Sequence, residues 1–98
     1  MKSLFGMQRA NGDWFAIDDK GGYRVPIFRN AVDAMVARSR DRGMECFRPV
    51  ILDGSALHNL TTTAEEGSAG FWLVEDPARK LTRSLRLDQT QLLKLIRE

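Results

Sequence analysis

The apolar residues Leu4, Phe5 and Met7 mark a first strand candidate from Ser3 to Arg9, and the Asn11-Gly12 dipeptide that follows suits the two positive φ angles of a type I′ turn. The pattern predicts an N-terminal hairpin. Its return strand, Asp13 to Asp18, puts Phe15 and Ile17 on one face, where Phe5 and Met7 join them, and Trp14 and Ala16 on the other. Asp19-Lys20-Gly21-Gly22 predicts a second turn, and Tyr23 to Phe28 a third strand. Pro26 has no N–H to donate, so this strand lies at an edge or is interrupted there.

The spacing changes from two to between three and four after Asn30, a good N-cap. Val32, Met35, Val36 and Ser39 then recur at helical intervals up to Arg42, and Gly43 supplies a stop. Met44 to Leu52 predicts a strand with apolar or small residues on both faces, Cys46 and Phe47 among them; Pro49 implies an edge or a bulge. Asp53 or Ser55 caps a short helix with Leu57 and Leu60 inward, and Thr61 to Gly70 loses all periodicity, which predicts a mobile loop.

Phe71 to Glu75 is dense in β-formers and predicts a buried, central strand that ends at Asp76-Pro77, where the residue before proline is steered out of helical geometry. Arg79 to Leu87 predicts a short exposed strand. Asp88 followed three positions later by Gln91 has the form of a capping box, opening a last helix with Leu92, Leu93, Leu95 and Ile96 in one apolar stripe. The order is β-β-β-α-β-α-β-(β)-α in one domain over residues 1–98, without repeat or linker. It predicts an α+β fold with a mainly antiparallel sheet and helices packed mostly on one face.

The strand Gly22-Tyr23-Arg24-Val25-Pro26-Ile27-Phe28, with its proline step before a helix, resembles the corresponding strand of the SseB-like (enhanced serine sensitivity) group of small bacterial α+β domains. Phe47 to Leu52 with Ala56, Leu57 and Leu60 is similar to that group's next strand and short helix. Phe71 to Pro77, then Leu87-Asp88 with Leu92 to Ile96, is similar to its closing strand, proline turn and terminal helix. The chain departs from the pattern at Glu75-Asp76-Pro77, where an Asn-Pro-like turn is expected, and in lacking an aromatic in its first helix. Apolar and proline positions carry the resemblance, so it implies a fold and an accessory or interaction role, with no defined substrate.

Composition narrows the chemistry. The 98 residues are 43% hydrophobic, which is globular, and the longest apolar runs, such as Phe71 to Val74, fall far short of a membrane span. A single cysteine, Cys46, excludes an intramolecular disulfide, and there is no secretory signal pattern, so the expected compartment is the cytoplasm. Fifteen basic and thirteen acidic residues give +2 with interspersed signs, which argues only weakly for nucleic acid. Eleven of the fifteen are Arg.

Cys46 is the sole candidate thiol nucleophile and His58 the sole imidazole to activate it, but a lone Cys in an apolar strand is ordinarily an inert small hydrophobe and His58 has no metal-ligand spacing beside it. Glu65-Glu66 and Glu75-Asp76 read as solvated charge, and the glycines lack any phosphate-loop context. No catalytic residue, metal or cofactor is expected. Arg38, Arg40 and Arg42 form one basic cluster, and Arg79, Lys80, Arg83 and Arg86 a second. Both also serve structure, the first by complementing a helix C-terminus and the second by protecting an edge strand.

Trp14 is the most distinctive residue. If helices cover one sheet face only, alternation turns its ring to the open face, near Arg24 and Phe28; otherwise it packs under the C-terminal segment or the 61–70 stretch. The expected function is a non-enzymatic interaction or accessory module that binds another protein or a second copy through an open sheet face around Trp14, Arg24 and Phe28, extended by Arg83 and Arg86. The alternative is binding of nucleic acid or an anionic ligand through the Arg clusters.

Overall fold

A computed structural model describes residues 3–19, 22–67, 70–78 and 84–97. Among them the strands are β1 (Phe5–Arg9), β2 (Ile17–Asp19), β3 (Gly22–Phe28), β4 (Phe47–Ile51), β5 (Gly70–Val74) and β6 (Leu85–Leu87). The helices are α1 (Ala31–Arg40), α2 (Gly54–Gly67) and α3 (Gln89–Arg97). The fold is α+β. The sheet runs β4-β1-β3-β5-β6 with β2 paired to β3, and every pairing is antiparallel except β3 with β5.

The N-terminal turn forms with a different closure from the two-residue one expected. Arg9 N donates to Asp13 O at 3.0 Å and Gly12 N donates to Arg9 O at 2.9 Å, enclosing Ala10, Asn11 and Gly12, with Gly12 at φ +95°. This is the three-residue hairpin in which glycine takes the left-handed position. The return then meets β1 only at a Gln8–Trp14 bridge, and β2 pairs with β3 instead. β1 is taken up mainly by β4, in register from Phe5–Ile51 to Arg9–Phe47.

Pro26 therefore sits in an interior strand. On one side β3 pairs β5 from Arg24 to Phe28; on the other it pairs β2 through Arg24 and β1 at Phe28. The gap at residues 25–27 is an interruption of the kind a proline requires. Pro49 lies in β4, an edge strand, as expected, and β5 is interior and largely buried.

Helix ends follow local rules. Asn30 Oδ1 accepts from Asp33 N at 2.8 Å and Asp53 Oδ1 from Ala56 N at 3.0 Å. Asp88 and Gln91 complete the reciprocal capping box, each side chain accepting from the other's backbone N–H at 2.8 Å. α1 stops at Arg40, and a 3₁₀ turn over Arg42–Met44 leads on, so Gly43 lies inside that turn. α2 runs to Gly67, so the mobile loop expected from Thr61 is helical at least that far. Thr61 and Thr62 turn their hydroxyls back to the Leu57 and His58 carbonyls, which occupies groups that would otherwise compete with the helix. Ser68 and Ala69 lie outside the described residues, as do Lys20 and Gly21 of the second turn.

Two clusters form the core. Leu4, Trp14, Val25, Ile27, Leu52 and Phe71 pack with Leu60 of α2 and Leu92 and Ile96 of α3. Met7, Phe28, Met44 and Val74 pack with Ala34 and Ala37 of α1. Because Ile27 and Phe28 are neighbours on one strand, these clusters occupy opposite sheet faces. The expectation of helices mostly on one face thus describes α2 and α3, while α1 covers the other.

Connectivity explains the division. β4 is antiparallel to β1, which is antiparallel to β3, so α1 joins two strands of like direction, as does α2 between β4 and β5. The first connection moves outward to the β4 edge and the second returns past β1 and β3. Crossovers of the same right hand running in opposite directions place their helices on opposite faces.

Candidate functional site

The surface expected around Trp14, Arg24 and Phe28 does not exist as one patch. Trp14 is 8% exposed and Phe28 is wholly buried, in different clusters on opposite faces. The alternation placed Trp14 correctly, with Ala16 beside it and with Phe5, Met7 and Phe15 in the other cluster; the errors were to set Phe28 on the Trp14 face, when it packs in that other cluster, and to leave one face uncovered. The Trp14 ring lies against Gly6, where a Cβ would meet its Cζ3 at 2.7 Å. Its Nε1–H donates to Asn59 Oδ1 of α2 at 2.7 Å, which satisfies the one polar atom of a buried indole. Trp14 is an anchor between β1 and α2. Trp72 contrasts with it, since its Nε1 is buried without a hydrogen-bond partner among the described residues.

Arg24 and Arg86 do come together. Arg24 crosses Gly70, where a Cβ would stand 2.6 Å from Nη1, and Nη1–H donates to Phe71 O at 3.3 Å. With Arg86, Gly70 and the first turn of α3 it lines a cleft of about 380 Å³. Two guanidinium groups beside a helix N-terminus favour an anion, but Asp88 places a carboxylate in the same lining, and the Asp88 and Gln91 N–H groups are already engaged. Arg83 lies outside the described residues, together with Arg79 and Lys80.

The largest departure from the sequence expectation is α1. Val32, Met35 and Val36, expected to face inward, are 71%, 44% and 37% exposed, while Ala34 and Ala37 are buried. Small side chains let the helix axis approach Met7, Phe28 and Met44, whose own bulk fills that cluster. The opposite side then shows Ala31, Val32, Met35, Val36 and Ser39 along a shallow depression of about 400 Å³. Tyr23, Ile51 and Leu85 are also exposed, but they are scattered over three different strands. Both sides of α1 are apolar by sequence, so periodicity alone favoured the bulkier one and missed the surface.

Polar groups frame this helix. Arg38 Nη2–H donates to Glu45 O at 2.7 Å, Arg29 reaches the Glu75 carbonyl, and Arg29 Nη2 stands 3.6 Å from Asp33 Oδ2. Arg40 and Arg42 are exposed at the C-terminal end. At the turn that follows β1, hydrogen bonds from Arg9 and then Asn11 hold the Asp13 carboxyl below the usual carboxylate range.

Cys46 precedes β4 and is exposed, so it is not the strand hydrophobe expected, and His58 is exposed on α2. Among the described residues no three His, Cys, Asp or Glu side chains are grouped to hold a metal, and no helix is long and apolar enough to cross a membrane. Comparison with family models, curated proteins and solved structures finds no match to this chain.

Proposed function

We propose that this chain is a non-enzymatic interaction module that docks a protein partner on the outer face of α1. The observation that carries the reading is the exposure of Val32, Met35 and Val36 at helical spacing on a helix whose other side already packs the core. Burying such side chains is worth on the order of 1.5 to 3 kcal/mol each, and a chain of 98 residues has few of them to spare. Anchors at i, i+3 and i+4 are the form in which helices are recognised by partners. The resemblance to the SseB-like group, which implies an accessory role, agrees with this reading.

The test compares proteins retained from native cells by the chain and by its Val32→Asp/Met35→Glu variant. Both positions are solvent-facing, so the variant keeps its fold by circular dichroism. Loss of retained partners on substitution is the expected result. Identical retention by the two chains, including none by either, overturns the reading.

A second reading, favoured by the pairing of Arg24 with Arg86 at the cleft, is binding of nucleic acid or a small anion there. It requires affinity for single-stranded oligonucleotide or inorganic phosphate that falls steeply with salt and with Arg86→Glu, so a flat titration removes it.

A further inference from the structure

Resting on that reading of α1, we infer that the partner presents an amphipathic helix with an acidic flank, and is not a second copy of this chain. Charge carries the argument. Residues 29–42, which are α1 and its flanks, hold four Arg and two Asp, a net +2 that equals the formal charge of the whole chain. The remaining residues hold eleven basic and eleven acidic groups. α1 and its flanks are thus locally positive, with Arg40 and Arg42 at the end of the apolar stripe.

Its local acids are engaged within the chain. Asp41 Oδ1 accepts from Gly43 N at 2.9 Å, and Asp33 lies beside Arg29. Arg40 and Arg42 are exposed where the stripe ends at Ser39. A second copy would set this excess against itself. Packed parallel, Arg40 and Arg42 would meet their own equivalents; packed antiparallel, they would meet the end that carries Arg29. A flank of Asp or Glu pairs with them in either direction, which favours encounter and excludes basic partners.

Size points the same way. The ten residues of α1 are about 15 Å long, and a stripe of five side chains falls well short of the roughly 20 to 30 residues a side of a stable interface between two folded domains, a second copy included. It matches one helix laid alongside.

The experiment uses the full chain and two synthetic helical peptides of about 15 residues, with Leu at i, i+3, i+4 and i+7 and with either Glu or Lys at the flanking positions, read by fluorescence anisotropy. The Glu peptide is expected to bind at least tenfold more tightly than the Lys peptide, to weaken as salt rises, and to lose its advantage in Arg40→Glu/Arg42→Glu. Sedimentation velocity of the chain alone should show a monomer. Equal affinity for the two peptides, or none for either, overturns the acidic partner and leaves docking on α1 standing. Binding unaltered by Val32→Asp/Met35→Glu overturns docking on α1 itself. A dimer that dissociates on Val32→Asp replaces the acidic partner with a second copy.

Discussion

Gly6→Ala is a sharp perturbation because a single methyl group meets an aromatic ring that is held from its far side. The added Cβ would lie 2.7 Å from Trp14 Cζ3 and 3.0 Å from Cε3, with Leu52 Cδ2 at 3.6 Å. Carbon atoms pack best at about 3.5 to 4.0 Å, so the ring must retreat by nearly an ångström or β1 must move. Neither is free. Retreat of the ring strains or breaks the 2.7 Å hydrogen bond to Asn59, and movement of β1 disturbs its register with β4 at Gly6–Val50. Overpacking of this kind costs about 1 to 3 kcal/mol, and a lost hydrogen bond adds about 0.5 to 1.5. Loss of backbone freedom in the unfolded chain offsets about 0.4 to 1. The net expectation is a destabilisation of about 0.5 to 4 kcal/mol, centred on about 2, which for a domain of this size lowers Tm by roughly 4 to 8 °C per kcal/mol. Urea denaturation followed by circular dichroism measures it, with Trp14→Leu as the second arm of a double-mutant cycle. Removing the indole should recover part of the loss. If Gly6→Ala is as stable as the parent, or if the two substitutions are additive, Trp14 is not packed against β1 as described.

Asp88→Ala removes one half of the capping box and should cost about 1 kcal/mol in urea denaturation, with the loss confined to α3 in hydrogen exchange. Unchanged protection of α3 would contradict that role. Asp13 is held below the ordinary carboxylate value of 3.8 by Arg9 first and Asn11 second, so its folded form is the poorer proton acceptor. Its stabilising contribution is complete above the unfolded value and disappears as pH falls through the lower, folded one. An NMR titration should show Asp13 moving upward in Arg9→Met, and no movement would mean that the Arg9 contact does not persist in solution.

Much of the architecture was legible in local sequence, for physical reasons that act over a few residues. Asn30, Asp88 and Gln91 are caps because their short polar side chains reach backbone N–H groups within one turn. Gly12 closes a hairpin because it tolerates positive φ, and the alternation of Trp14 and Ala16 with Phe15 follows from the period of an extended chain. What local sequence could not decide is which elements meet. Pro26 reads as an edge residue or an interruption, and only the packing of strands chooses the second: β3 is interior because β1 and β2 share one side of it and leave the proline a gap. Thr61 to Gly67 has no periodicity of its own, but it continues a helix already nucleated at Asp53 and anchored by Leu60.

The candidate site shows the same division. Sequence determined that α1 is a helix with apolar residues on more than one side, and that Arg38, Arg40 and Arg42 lie towards its end. Only the tertiary structure decided which side is core. Two crossovers running in opposite directions cover both faces of the sheet, burying Trp14 and Phe28, and the bulk of Met7, Phe28 and Met44 selects Ala34 and Ala37 as the close-packing side of α1. Val32, Met35 and Val36 are left on the surface because packing depends on the shape of what a helix meets, and that lies many residues away along the chain.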